Sequence, residues 1–295
     1  MISLAELSRE IDHLDPIPVS QPRLAQVVAD PTADLQQIVT IIEYDPALTS
    51  NTLRMANSAY FSPGTRVHSV KEAVQRLGAG RILQHAVGHG IRGRLIAACP
   101  GYDLVEHELW RHSVAAALAA EQLSLYAKTR IHPVAFTAAL LHDIGKFLLS
   151  RHLTDDLKAE ITELEQNGRL PYVEAERTIL GFDHAQVGGV IARRWNFPDV
   201  LVEAIAHHHH PHHPHLGDGD HTALDAVHIG NTVAKIIGIG IGSEEMNMLA
   251  DSRAARGLGL TPTTLEALCA AVAIELPAVV ALFEEEEHGV QHSDR

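Results

Sequence analysis

Aromatic side chains are scarce in this chain: Phe, Trp and Tyr make up 4% of 295 residues, although 46% are hydrophobic. A core without many rings has to be built from Ala, Leu, Val and Ile, which suits close-packed helices better than a β-sandwich. Cysteine is scarcer still. Cys99 and Cys269 do not make a disulfide framework, and a reducing compartment is expected. Positive charge is in deficit, with 23 Lys and Arg against 37 Asp and Glu and a formal net charge of −14 with His neutral. Phosphate backbones are held by clustered cations, so no nucleic-acid partner is expected. No stretch reaches about 18 continuous apolar residues. The first residues lack the cationic segment and apolar run of a secretory signal, so a cytoplasmic location without a membrane partner is expected. Convincing period-two alternation and internal repeats are also missing.

What is abundant is helical periodicity and histidine, with 21 imidazoles. Pro16, Pro18, Pro22 and Pro31 divide residues 1–34 into a helix, a turn and a second short helix. Leu35, Ile38, Val39 and Ile42 share one face of the next helix. Asp45 followed by Pro46 reads as an N-cap with proline at the first helical position. Ser69 with Glu72, and Asp183 with Gln186, have capping-box spacing. Pro100–Gly101 is the best boundary, giving an N-terminal lobe of residues 1–99 and a second lobe of residues 100–295. In the second lobe the pattern predicts a long Ala-rich helix from Leu104 to Leu125 and another from Pro133 to Phe147. An amphipathic helix follows through Leu157, Ile161 and Leu164. Further helices are expected behind Asp183, from Pro198 up to Pro211, from Leu224 to Ile237 and from Leu265 to Phe283. Residues 212–221 read as a polar loop and Gly238 to Gly242 as a helix breaker. Glu284 to Arg295 reads as a frayed acidic tail. The expected fold class is all-α.

The run Leu140-Leu141-His142-Asp143-Ile144-Gly145-Lys146 places a carboxylate beside an imidazole inside an apolar segment, a costly arrangement unless both are partnered. Asp143 has two oxygens with which to bridge two cations, and His142 has a nitrogen to offer one of them. Taken alone, the pair reads slightly better as a buried hydrogen-bonded couple. Glu108 and His112 stand four apart on one helix face. His184 sits in the first turn behind Asp183, and His208 and His209 close the last turn of an apolar helix. Together these residues supply imidazoles from four helices and a carboxylate. Such a set suits one or two ions of Fe, Mn, Ni or Zn, and a two-metal site activates water against a phosphodiester. Lys146, one turn beyond Asp143, is placed either to steady a phosphate or to end its helix in solvent.

Several long motifs resemble those of HDOD domains. In the first lobe they are Asp45-Pro46-Ala47-Leu48-Thr49, Leu53 to Phe61, and Ser69 to Val74 with Leu77-Gly78. In the second they are Leu109-Trp110-Arg111-His112-Ser113, Leu140 to Lys146, His184-Ala185-Gln186-Val187-Gly188, Trp195-Asn196-Phe197-Pro198 and His208-His209. The resemblance runs from about Leu14 to Phe283. It implies a helical fold, with an N-terminal lobe packed on a lobe similar to the HD and HD-GYP phosphohydrolases, and a role in bacterial signalling. Many HDOD members have lost the metal ligands. Here Glu108, His112, His142, Asp143, His184, His208 and His209 fall at ligand-like positions of the HD-GYP site. Asn231 stands where active enzymes carry a late metal-binding Asp, and no Gly-Tyr-Pro follows the double His. Two readings stay open. One is a non-catalytic regulatory module with a metal site and a signalling protein as its partner. The other is a metal-dependent phosphohydrolase, with Asp143 and Lys146 in the catalytic set, acting on a nucleotide or another small phosphorylated ligand.

Overall fold

The computed structural model describes residues 4–58, 60–61, 66–167, 170–211, 220–240 and 252–290. All its regular elements are helical, and among the described residues the only β-pairing is an isolated bridge between Cys99 and Leu104. The all-α expectation therefore holds. Six helices precede residue 99: α1 (Leu4–Asp12), α2 (Ser20–Ala29), α3 (Leu35–Glu43), α4 (Pro46–Ala56), α5 (Val70–Leu77) and α6 (Ala79–Leu95). Then come α7 (Glu108–Tyr126), α8 (Ala135–Leu141), α9 (Ile144–Leu149), α10 (Asp155–Gln166) and α11 (Tyr172–Leu180). The last five are α12 (His184–Arg194), α13 (Asp199–Ala206), α14 (Thr222–Ile236), α15 (Ser252–Gly257) and α16 (Pro262–Val290).

Local chemistry sets several of these ends. Asp45 caps α4 by accepting from the Leu48 amide at 2.9 Å, with Pro46 at the first helical position. Asp183 and Gln186 form a reciprocal capping box at the start of α12. The Ser69–Glu72 box is only half formed. Ser69 accepts from the Glu72 amide, but the Glu72 carboxylate reaches the amide of His68, one residue too early to close the box. Asn57 and Ser58 bond backbone at the end of α4, and Asn57 also reaches across the following loop to both the amide and the carbonyl of Val67.

The centre of the molecule is α7. Ala115, Ala116, Ala117, Ala119 and Ala120 are all buried on it, so neighbours approach from every side. Gly230 of α14 lies against it so closely that a Cβ there would overlap the Ala116 carbonyl oxygen. This is how a core poor in rings reaches native density: small side chains bring helix backbones together. The N-terminal helices are tied to the later ones at several points. Arg194 Nε donates to Asp12 at 2.7 Å, and His152 meets Glu10 at 3.0 Å.

Three expectations need correction. The predicted helix from Pro133 to Phe147 is two helices, α8 and α9, broken at His142–Asp143. The long Ala-rich helix begins at Glu108 rather than Leu104, because Cys99 to Leu104 is taken up by a short 3-10 turn and the β-bridge. The C-terminal segment is helical as far as Val290, beyond the expected end at Phe283; residues 291–295 of the acidic tail lie outside the described residues. Most of the polar loop at 212–221, and Ile241 and Gly242 of the breaker, also lie outside them, but α14 does end at Ile236, with Gly238 and Gly240 at positive φ. By length and composition the stretch Pro262–Ala281 would suffice to cross a membrane. It packs on α7 and buries Leu268, Val272 and Leu276, as a helix on the flank of a globular core also does.

Candidate metal centre

The helix break is what assembles the site. In an unbroken helix adjacent side chains point about 100° apart, and His142 and Asp143 could not face one point. With the chain leaving helical geometry at Asp143 (φ −98°, ψ 11°), the His142 Nε2 and Asp143 Oδ2 come within 3.3 Å. Gly145 then lets α9 pass α12 in near contact, since a Cβ there would overlap the His184 carbonyl oxygen.

Asp143 is the hub, buried at 1% exposure. Its Oδ2 faces His142 Nε2 at 3.3 Å, His112 Nε2 at 3.6 Å and Lys146 Nζ at 2.9 Å. Its Oδ1 faces His184 Nε2 at 3.4 Å and His208 Nε2 at 3.8 Å. Two groups of three possible ligands result, His112 with His142 and Asp143, and His184 with His208 and His209. Asp143 presents one oxygen to each group.

The outer nitrogens are fixed. Nδ1 of His142 donates to the Ala139 carbonyl at 2.6 Å, that of His208 to Ile205 at 2.7 Å and that of His112 to Ile239 at 2.8 Å. His184 Nδ1 donates to Glu176 Oε2 at 2.7 Å. Four rings thus carry the proton on Nδ1 and turn an Nε2 lone pair toward Asp143, the orientation that second-shell partners impose on metal-binding imidazoles.

A cation fits this donor set. His142 Nε2, His208 Nε2 and Asp143 Oδ1 are buried without a hydrogen-bond partner among the described residues, a state that is costly unless something is bound there. His184 Nε2 and His209 Nε2 stand 2.8 Å apart. His112 Nε2 stands 3.1 Å from Asn231 Oδ1, so lone pair faces lone pair unless the amide is turned. For His112, His208 and His209 the electrostatics agree, because ligands must be deprotonated to bind; His184 runs the other way, since burial is outweighed by Glu176, which holds it above the ordinary histidine value. Burial pushes His112 down to about 4 despite the attraction of Asp143. Burial and neighbouring imidazoles hold His208 and His209 well below the ordinary histidine value. Burial alone would raise Asp143, but His142 and Lys146 outweigh it and keep the carboxyl ionised.

The structure brings together His112, His142, Asp143, His184, His208, His209 and Asn231. Glu108 stays apart: it lies in the first turn of α7, where its carboxylate accepts from the Val105 amide at 2.8 Å. His208 and His209 follow α13 instead of closing its last turn, which ends at Ala206. Lys146 does not end its helix in solvent. It is 3% exposed, bonded to Asp143 and over the Tyr102 ring.

Glu176 is the residue that the sequence motifs do not point to. It is fully buried on α11 and accepts from both the backbone amide and Nδ1 of His184, while its other oxygen takes the Tyr102 hydroxyl. A signal did exist: Tyr172, Glu176 and Leu180 are spaced four apart, so a carboxylate stands in the middle of an apolar stripe.

Known proteins share this fold. An uncharacterized protein of Treponema pallidum (strain Nichols) is 27% identical over 236 residues, which are 79% of this chain and 44% of the relative. The chain therefore spans less than half the length of that relative. A solved structure from Marinobacter aquaeolei VT8, provisionally named a signal transduction protein, superposes with a TM-score of 0.70 at 23% identity, over 94% of this chain and 60% of that one. Another, from Shewanella amazonensis SB2B and provisionally named a phosphohydrolase, has a TM-score of 0.61 at 22% identity, over 94% and 97%. At such identities the likeness concerns the fold. The sequence profile of the HDOD domain matches residues 14–211, from the end of α1 to just past the double histidine, and the chain belongs to the HDOD family.

Proposed function

We propose that this chain is a cytoplasmic regulatory HDOD module whose buried His/Asp centre holds one or two divalent transition metals without hydrolysing a phosphoester. The observation that carries the reading is the closure of the centre. His112, His142, Asp143, His184 and His208 are each at most 1% exposed, and four imidazoles are aimed at one carboxylate. Such a donor set suits Fe, Mn, Ni or Zn. When bound, the metal would tie α7, the α8–α9 break, α12 and the segment after α13 to a single point. A signalling protein is the partner this reading calls for.

Two further features favour a regulatory over a hydrolytic role. Lys146, which stands beside Asp143, is buried and bonded to that carboxylate. Asn231 supplies a neutral amide to His112 where a carboxylate would add charge to the ion. The hydrolytic reading keeps one supporting observation, the two-sided presentation of Asp143 to two ligand groups. The test is a turnover screen of metal-loaded protein against cyclic dinucleotides, mononucleotides and a generic phosphodiester. No turnover is expected with any metal; turnover abolished by Asp143→Asn would overturn the non-catalytic reading.

A further inference from the structure

Two histidines stand together on α6, a helix that carries none of the residues of the His/Asp centre. His85 and His89 are half-buried and lie one helical turn apart, so their rings share a face. The opposite face of the helix buries Ile82, Leu83, Ala86 and Val87. The two Nε2 atoms are 3.3 Å apart, with ring centroids at 4.4 Å and planes at 60°. As a hydrogen bond this contact is long, since N–H donors ordinarily stand about 2.7–3.2 Å from their acceptors. As one edge of a metal tetrahedron it fits, because two imidazole nitrogens at about 2.0–2.1 Å from a zinc ion are about 3.3–3.4 Å from each other. The four-residue spacing is also the one that turns two histidines of a helix toward a single ion.

We propose that His85 and His89 form a second metal site, which chelates a divalent ion of the zinc, nickel or copper class and exchanges it with solvent. Imidazole is a ligand that suits these ions, and with each ring protonated on Nδ1 both Nε2 lone pairs face one point. Among the described residues no third His, Cys, Asp or Glu joins the pair as closely as in the two groups of the centre. Water therefore completes the coordination, and the ion is held less tightly than in the buried centre. His85 also lines a half-open cavity of about 270 Å³, which gives the ion a way in. Charge there favours a cation: among the described residues the lining has Arg81 as its one Arg or Lys, against the carboxylates of Glu121 and Glu275. The helix itself has something to gain. Gly88 lies between the two histidines and Gly90 and Gly93 follow, each weakening the helix relative to alanine, and a chelate across this turn ties it together.

The experiment is equilibrium dialysis of the full, tag-free chain against micromolar free zinc(II), with bound zinc counted, and amide hydrogen exchange read peptide by peptide with and without zinc. Wild-type protein should hold one zinc ion more than His85→Gln or His89→Gln. Both positions are half-buried and glutamine is a good helix former, so neither change threatens folding. Zinc should slow exchange in α6 of the wild type and leave α6 of either variant unchanged. The histidine-rich stretch 207–215 is the competing location, and zinc held there would be kept by both variants. The inference is overturned if either variant binds as much zinc as the wild type, or if exchange in α6 does not respond to zinc. In His142→Ala combined with Asp143→Ala the zinc on α6 should remain, so failure of the buried centre and failure of this site give different results.

Discussion

Glu176→Gln isolates the residue that orients the candidate metal centre without touching it. The carboxylate is fully buried and takes three donors: the His184 amide at 2.9 Å, His184 Nδ1 at 2.7 Å and the Tyr102 hydroxyl. Glutamine can keep an oxygen on His184 and turn its amide to the Tyr102 oxygen, so the fold survives, although the Tyr102 hydroxyl proton loses its carboxylate acceptor. What is lost is the charge, and a hydrogen bond to a charged group is worth roughly twice a neutral one. Two such bonds weakened by about 1 kcal/mol each give a stability loss of about 2 kcal/mol. Because the bond to Nδ1 fixes the tautomer that leaves Nε2 free, metal affinity should fall by about 10–100-fold. The pH dependence has a definite sign. Burial lowers His184, but the charge of Glu176 outweighs it and the ring is held above the ordinary value of 6.5. That contribution is therefore fully present below 6.5 and is lost as pH rises through the raised value. In metal-free protein the gap between wild type and Glu176→Gln should narrow on the alkaline side. Competition with a chromophoric chelator and urea unfolding across pH measure both quantities. Unchanged metal affinity in a folded Glu176→Gln protein would refute the role given to Glu176, and a gap that widens with pH would refute the electrostatic argument.

Acid should destabilise the metal-free protein through the depressed histidines. The unfolded His112 takes a proton near 6.5 and the folded one only near 4, so stability falls as pH drops across that window, by about 3 kcal/mol from this residue alone. Urea midpoints between about pH 7 and about pH 4.5 check it, and a flat profile would contradict the burial of His112. Gly145→Ala should cost more than about 3 kcal/mol and empty the metal site, because the added methyl would meet the His184 backbone where no flexible side chain can yield; a wild-type melting curve would contradict the packing. Asp183→Ala removes the α12 cap and the partner of Arg177 and should cost about 1–2 kcal/mol, read from the shift in urea midpoint; a change within error would mean that Asp183 is not the cap.

The sequence made most of this architecture legible because helices announce themselves locally. Asp45–Pro46 and Asp183 with Gln186 mark helix starts by side-chain chemistry that needs no tertiary context, and both starts are found where that chemistry puts them. The histidines of the centre were legible as residue types at ligand-like positions. What could not be read was anything set by packing. The break at His142–Asp143 falls inside a segment of good helix formers, and it is the approach of α9 to α12 over Gly145 that accompanies it. Glu108 looked like a partner of His112 because four residues separate them, yet its carboxylate turns back to the Val105 amide. Lys146 read either as a phosphate contact or as a solvated helix end, and its burial against Asp143 could not be seen from the sequence. Glu176 belongs to no motif, because its role is to hold another side chain.

The most direct test of the account is the metal content of gently purified, tag-free protein, compared with that of His142→Ala combined with Asp143→Ala. The account predicts at least about half an equivalent of a first-row transition metal per wild-type chain and its loss in the double variant. Wild-type protein without metal, or a double variant that keeps it, would contradict the assignment of the buried His/Asp centre.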